Sequence, residues 1–313
     1  MRTVQLTFVC LLLLLLRLAE AADDALRTQA NALFGVLAPV TEAEINDPVV
    51  ALGRVLFWDT DLSSSGEVAC ASCHLVANMG ADSRRVSRDA RGRPTRRHSQ
   101  TVFNAQAATA GLRWLGDRAS GTAQALGSIT GSMGFSNRED IFPLLMTSPY
   151  PQLFRQAFPA AEEPVTAENY SLALETNQRS LRTPAAFDQW LDGVETALGE
   201  DAKIGLQHFI RFGCAACHNG PLLGGNSLQR FGVLEDFRVL TGSNPEDVGL
   251  MTLSGNPEDR DVFRVQPLRI VANTARSFHD GSVSRLGTQW VLWRLCSLVE
   301  TCRSRNWQNC SVS

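Results

Sequence analysis

Two pentapeptides carry the chemistry of this chain: Cys70-Ala71-Ser72-Cys73-His74 and Cys214-Ala215-Ala216-Cys217-His218. Two thiols at this spacing can add to the two vinyl groups on one edge of a porphyrin. The histidine that follows then stands under the iron, where a neutral imidazole is the proximal ligand. In a chain with eight cysteines and five histidines, chance gives about 0.003 copies of the motif, so two copies are not coincidence. Zinc sites and redox dithiols are the competing readings. A redox dithiol does not need the histidine, and a zinc site would need the two distant pairs to meet. The spacing therefore predicts two covalently attached c-type haems on Cys70, Cys73, Cys214 and Cys217, with His74 and His218 as axial ligands of the iron.

The elements that position these motifs read as mostly helical. Asp47-Pro48 is a helix start, with Val49 to Trp58 apolar at helical spacing. Thr166 to Leu181 and Pro184 to Leu191 read as two helices around Thr183. Leu198 to Phe212 is amphipathic and runs into the second motif. The polar stretch Ala81 to Gln100 reads as a long loop with Gly92 and Pro94 as breakers. It holds Arg84, Arg85, Arg88, Arg91, Arg93, Arg96 and Arg97, suited to haem propionates, an acidic partner or solvent. The fold class expected is mainly α, as two cytochrome c-like haem domains in tandem over residues 22–195 and 196–286, with a junction near Gly193 to Ala197.

Composition sets outer bounds. The chain is 44% hydrophobic and 19% charged, which excludes a disordered protein. With 29 basic against 32 acidic residues it has no global positive field, which argues against nucleic acid as partner. At the N-terminus, Arg2, an apolar run with Leu11 to Leu16, and Ala19-Glu20-Ala21 read as a signal peptide over residues 1–21. The run is shorter than the ~20 residues a membrane span needs, so no span is expected after cleavage, and the mature protein is expected in the periplasm.

Several ordered stretches resemble the bacterial di-haem cytochrome c peroxidase family, which includes the MauG-like proteins. They are Leu52-Gly53-Arg54-Val55-Leu56-Phe57-Trp58-Asp59, Leu62-Ser63 through the first motif, Thr101-Val102-Phe103-Asn104-Ala105, and Gly116-Asp117-Arg118-Ala119 with Gln124. Gly205-Leu206 through His218-Asn219-Gly220-Pro221, Phe263-Arg264-Val265 with Leu268-Arg269, and Phe278-His279-Asp280-Gly281 complete them. The resemblance implies a periplasmic oxidoreductase that reduces hydrogen peroxide, with the peroxide-reactive haem on His74 and the electron-entry haem on His218. It implies a tryptophan relay, for which Trp114 is the candidate, and a calcium ion at the domain interface. It also implies electrons from a small cytochrome c or cupredoxin; a homodimer is compatible with it. The alternatives are a MauG-like oxidase and a non-catalytic di-haem electron carrier.

The departures bear on catalysis. Where the family carries a distal Glu-Met-Gly, the chain reads Ser132-Met133-Gly134, and a hydroxyl cannot shuttle a proton as a carboxylate does. Glu139 or Asp140 could substitute, or could cap the helix expected there. No histidine follows the first motif before His98, which could ligate iron, bond a propionate or face solvent, and which weakens the calcium expectation. His279 is expected near the second haem, and His208 in packing or at the surface. Residues 287–313 contain three cysteines and no methionine, and read as an atypical tail, from a change of reading frame near residue 287 or a truncated gene, that lacks the methionine ligand the resemblance implies. Met251 and Met133 are the remaining methionine candidates for that ligand.

Overall fold

The computed structural model describes residues 2–233, 235–284 and 287. The expectation of an altered reading frame in residues 287–313 falls, Gly287 apart, outside them. The helices in chain order are α1 (Arg2–Leu33), α2 (Glu42–Ile45), α3 (Pro48–Trp58), α4 (Gly121–Thr130), α5 (Phe142–Leu145) and α6 (Tyr150–Ala157). They continue with α7 (Ala167–Arg179), α8 (Ala186–Leu191), α9 (Glu200–Arg211), α10 (Phe237–Thr241) and α11 (Met251–Ser254). Two short strands, β1 (Leu228–Arg230) and β2 (Val262–Arg264), pair antiparallel with Gln229 opposite Phe263.

Helix α3 starts where its signals stand. The Asp47 carboxylate accepts the Val49 N–H at 2.8 Å, and Pro48 needs no N–H partner at the first turn. Its buried face, Val50, Leu52, Leu56 and Phe57, crosses α7, which Thr166 caps and which buries Tyr170, Ala173 and Leu174. Gly53 lies at this crossing, where a β-carbon would fall 1.9 Å from the Ala173 carbonyl oxygen. Leu62, Ile129, Ile141, Leu145 and Phe154 extend this core onto Ala69 and Ala71, so the first motif is built against it.

A second core joins distant segments. Leu26, Ala30 and Phe34 pack with Trp190, Leu191 and Ala215, and with Leu206, Phe209 and Ile210 of α9. The end of α1 and α8, which precede residue 196, thus support the second motif. Asp188 of α8 accepts the Leu37 N–H at 2.8 Å and the Ala185 N–H at 2.7 Å, and forms a two-pronged ion pair with Arg269. A third cluster, Trp114, Leu115, Phe237 and Phe263, brings residues 114–115 onto the C-terminal segment.

Two features differ from expectation. The segment expected to start a helix near Glu139 is a 3-10 turn, Arg138–Ile141, before the single-turn α5, because Pro143 enters at the next turn. Helices α4 and α6 lack a strong sequence signal, yet Ser120 caps α4 and Phe154 of α6 is fully buried. The N-terminal segment lies within α1, and no helix among the described residues is long and apolar enough to cross a membrane.

Candidate functional site

The first pentapeptide folds as a 3-10 turn, Cys70–Ser72, closed by the Cys73 and His74 N–H groups on the Cys70 carbonyl at 3.2 and 3.1 Å. His74 Nδ1 lies 3.0 Å from the Gly80 carbonyl and 2.9 Å from the Gln100 carbonyl. Carbonyls only accept, so Nδ1 carries the hydrogen and the lone pair stands on Nε2, the tautomer a proximal iron ligand needs. Gly80 has φ +75°, and a β-carbon there would lie 2.6 Å from the Phe103 ring, so only glycine presents this carbonyl. Burial pushes the Cys70 thiol up to about 12, raises Cys73 as well, and lowers His74.

The second pentapeptide repeats the design. Cys214–Ala216 is a 3-10 turn entered through Gly213 in the left-handed region, and the His218 N–H closes on the Cys214 carbonyl at 2.9 Å. His218 Nδ1 lies 3.0 Å from the Leu223 carbonyl, and the backbone of Gln266 acts on the same ring. Burial lowers His218 and raises Cys214.

Between the two motifs, residues from both halves of the chain interlock. Trp114 is 9% exposed and donates its indole N–H to the His98 carbonyl at 2.8 Å; its own carbonyl accepts the Arg264 N–H. The His98 N–H donates to the His279 carbonyl at 2.8 Å. The His279 ring stacks on Phe263 at 4.3 Å and meets the edge of Trp114 at 6.3 Å. Arg97 pairs with Asp247 through Nε at 2.8 Å and Nη2 at 2.5 Å. The Gln100 side-chain amide donates to the Gln266 side-chain carbonyl at 2.5 Å, which links the loops that hold His74 and His218.

Not every predicted residue takes the place expected for it. His98 is 4% exposed, so it does not face solvent; burial lowers its pKa, and the backbone of Arg85 and Arg84 acts on the ring in the opposite sense. Ser132 is half-buried, and its carbonyl accepts the Ala90 N–H at 2.9 Å, which places it against the loop after the first motif. Glu139 is exposed, while Asp140 caps the turn by accepting the Ser136 and Asn137 N–H groups. Met133 is in the first core, Met251 opens α11, and the His208 ring sits 5.5 Å from Phe212. The arginine loop is not a free basic surface: Arg84, Arg85, Arg93 and Arg97 pair with Asp82, Asp280, Asp89 and Asp247, and Arg91 donates to the Gly134 and Phe135 carbonyls. Only Asp82 and Asp89 of these carboxylates lie in the same stretch of sequence, so the long-range pairs carried no local signal.

The donor set fits haem: two histidines with Nδ1 on carbonyls, each beside buried thiols. Buried polar atoms that lack partners accompany it, among them Gln124 Oε1 and Arg264 Nη1. Asp117, Arg118, Ala119, Ala123, Leu126, Gly127 and Arg138 line a cleft of about 330 Å³ beside α4. No group of three or more His, Cys, Asp or Glu side chains among the described residues is arranged to hold a metal ion. Sequence reasoning did not single out Gln100, Gln266 or Asp247. They are polar residues in loops, where no periodicity marks them.

Comparison with known proteins supplies the context. A family-wide sequence model described as di-haem cytochrome c peroxidase matches residues 47–196. The chain is 38% identical over 275 residues to a cytochrome c551 peroxidase of Pseudomonas aeruginosa, covering 85% of this chain and 78% of that protein. It is 34% identical over 242 residues to the methylamine utilization protein MauG of Methylorubrum extorquens, covering 76% of this chain and 66% of that protein. The crystal structure of a MauG-like protein associated with microbial copper homeostasis superposes with a TM-score of 0.70 at 27% identity, covering 82% of this chain and 79% of that one. The diheme peroxidase BthA of Burkholderia thailandensis, 18% identical, shares the fold with a TM-score of 0.64 over 82% of this chain and 72% of its own.

Proposed function

Because the chain belongs to the di-haem cytochrome c peroxidase family, we propose that it is a periplasmic enzyme that reduces hydrogen peroxide to water with electrons from a small cytochrome c or cupredoxin. The observation that carries this reading is the repeated proximal geometry: His74 and His218 each follow a C-x-x-C turn, and each directs Nδ1 to a backbone carbonyl. Cys70 and Cys73 would hold one haem by thioethers and Cys214 and Cys217 the other. The haem domain boundary would fall near residue 195, with the end of α1 and α8 contributed to the second unit.

Haem bound at these positions supplies an iron that can accept a peroxide oxygen and exchange single electrons. The chain supplies the rest. The Gly80 and Gln100 carbonyls orient His74 and increase its basicity through Nδ1. Trp114, fixed between His98 and the C-terminal segment, is placed to help electrons pass between the two units. Its packing in the third cluster is the structural role it fills in either case. Ser132 would occupy the distal position without a carboxylate, and the exposed Glu139 would substitute only if a proton were relayed to it. A calcium ion at the interface would have to rely on backbone oxygens and water, given the imidazole of His98. The signal-like segment over residues 1–21 supports export.

The likeness to MauG and to a MauG-like structure supports one second reading, an oxidase that uses peroxide to oxidise another molecule. Steady-state assay of the haem-loaded chain with peroxide and a reduced small cytochrome separates the two. Donor oxidation at two electrons per peroxide supports the peroxidase. With an oxidisable organic substrate also present, its oxidation by two electrons per peroxide in place of the donor supports the oxidase, and no peroxide consumption rejects both.

A further inference from the structure

We propose that Arg264 is the cation that receives a haem propionate at the boundary between the two haem pockets, with Gln100 and Gln266 holding it in place. The inference rests on the haem reading above and adds a cofactor-binding residue to it.

Arg264 closes β2 and is 5% exposed. Its Nε donates to the Arg113 carbonyl at 2.7 Å, and its Nη2 donates to Gln100 Oε1 at 3.3 Å. Nη1 is buried and has no hydrogen-bond partner. Arg269, the other buried arginine among the described residues, is neutralised by Asp188, and the partly buried Arg97 and Arg238 by Asp247 and Asp261. Among the described residues no carboxylate pairs with Arg264, and burial pushes its guanidinium down to about 10. An uncompensated buried cation is strongly unfavourable, so the site calls for an anion that the described residues do not supply. A haem brings carboxylates of its own, and a guanidinium is the matching donor.

The position selects the same ligand. Gln100 offers its carbonyl to His74, and its side chain bonds both Arg264 and Gln266. Gln266 donates to the Arg264 carbonyl at 3.2 Å, and its backbone acts on the His218 ring. On the other side, Nη1 lies 3.4 Å from where a β-carbon of Gly225 would stand, two residues beyond the Leu223 carbonyl that holds His218. Gly225 has φ +80°, and a β-carbon there would also lie 3.3 Å from Ala108 Cβ and 3.4 Å from Pro267 Cγ. Arg264 therefore stands between the loops that hold the two proximal histidines, with one N–H pair uncommitted.

A fixed positive charge at a haem carboxylate favours the reduced, less positive iron. The test uses the full chain with its haem content counted first as the pyridine haemochrome, followed by spectroelectrochemical titration and redox-difference infrared spectra. Arg264→Gln with two haems should lower the reduction equilibrium constant of at least one haem about tenfold, or 59 mV for a one-electron couple. The carboxylate band of a propionate should move as well. Arg264→Lys should shift both in the same direction by less. Two haems with wild-type potentials and an unmoved carboxylate band in Arg264→Gln would overturn the proposal and leave the haem reading standing. If Arg264→Gln loads fewer haems, Arg264→Lys decides: a moved band supports the proposal and unchanged spectra overturn it. A wild-type chain without two covalent haems would overturn the haem reading, and the proposal with it.

Discussion

The indole N–H of Trp114 donates to the backbone carbonyl of His98 at 2.8 Å, and the His98 N–H in turn donates to the His279 carbonyl at 2.8 Å. The backbone of one residue, His98, thus ties the end of the arginine-rich loop to an aromatic side chain of the N-terminal half and to the C-terminal segment. Trp114→Phe leaves the His98 carbonyl without its partner and removes part of a packed ring. Urea unfolding should register a loss of about 1–3 kcal/mol. If Trp114 also relays electrons, transfer between the haems, followed after photoreduction of one, should slow while haem content stays at two. An unchanged rate confines Trp114 to packing.

The thioether assignment predicts a simple inventory. Wild-type protein denatured in detergent should retain two haems by intact mass. Cys70→Ala with Cys73→Ala should retain one, and the remaining haem should be lost only when Cys214 and Cys217 are replaced as well. Retention of two haems by the Cys70/Cys73 variant would contradict attachment at the first motif.

Asp188 and Arg269 form a buried two-pronged ion pair, 3% and 5% exposed at the side chain. Burial alone would raise the Asp188 carboxyl, but hydrogen bonds from Arg269, Ala185 and Leu37 hold it below the ordinary carboxylate range. A depressed folded value contributes stability above the unfolded value near 3.9, and that contribution is lost as pH falls through the folded value. Asp188→Ala should cost about 3 kcal/mol at pH 7, because it leaves Arg269 buried and unpaired. Its stability should also fall less steeply than that of wild type below pH 4. A variant with the wild-type acid limb would show that Asp188 is not a source of the acid sensitivity.

The parts of this fold legible in the sequence are those fixed by local chemistry. Asp47-Pro48 starts α3 and Thr166 caps α7, because capping needs only residues a few positions apart. Each C-x-x-C-H was legible for the same reason. What escaped depends on partners far along the chain. Gln100 and Gln266, Arg97 and Asp247, and Asp188 and Arg269 meet only after the chain folds back on itself. The buried state of His98 escaped for the same reason. So did the support of the second motif by Phe34 and Trp190, since their burial depends on a partner that no hydrophobic period names.

Ser132 gives a gain-of-function prediction. A carboxylate in the distal position can contribute about 10²-fold by general acid–base catalysis. Ser132→Glu should therefore accelerate the stopped-flow reaction with peroxide by roughly that factor at neutral pH. Glu139→Gln should leave it unchanged, because Glu139 is exposed and Asp140 performs the capping. A loss of rate in Glu139→Gln would identify Glu139 as the proton carrier instead.

Peroxide titration of the haem-loaded protein asks whether this chain works as a di-haem peroxidase. Absorption and EPR spectra would be recorded before and after one-electron reduction. One haem should be open to peroxide, and its bands should change rapidly with stoichiometric peroxide. Those bands should return when a reduced small cytochrome is added, with two electrons consumed per peroxide. Two six-coordinate haems that exchange electrons with the donor but do not react with peroxide would contradict the peroxidase reading, and would make the protein an electron carrier.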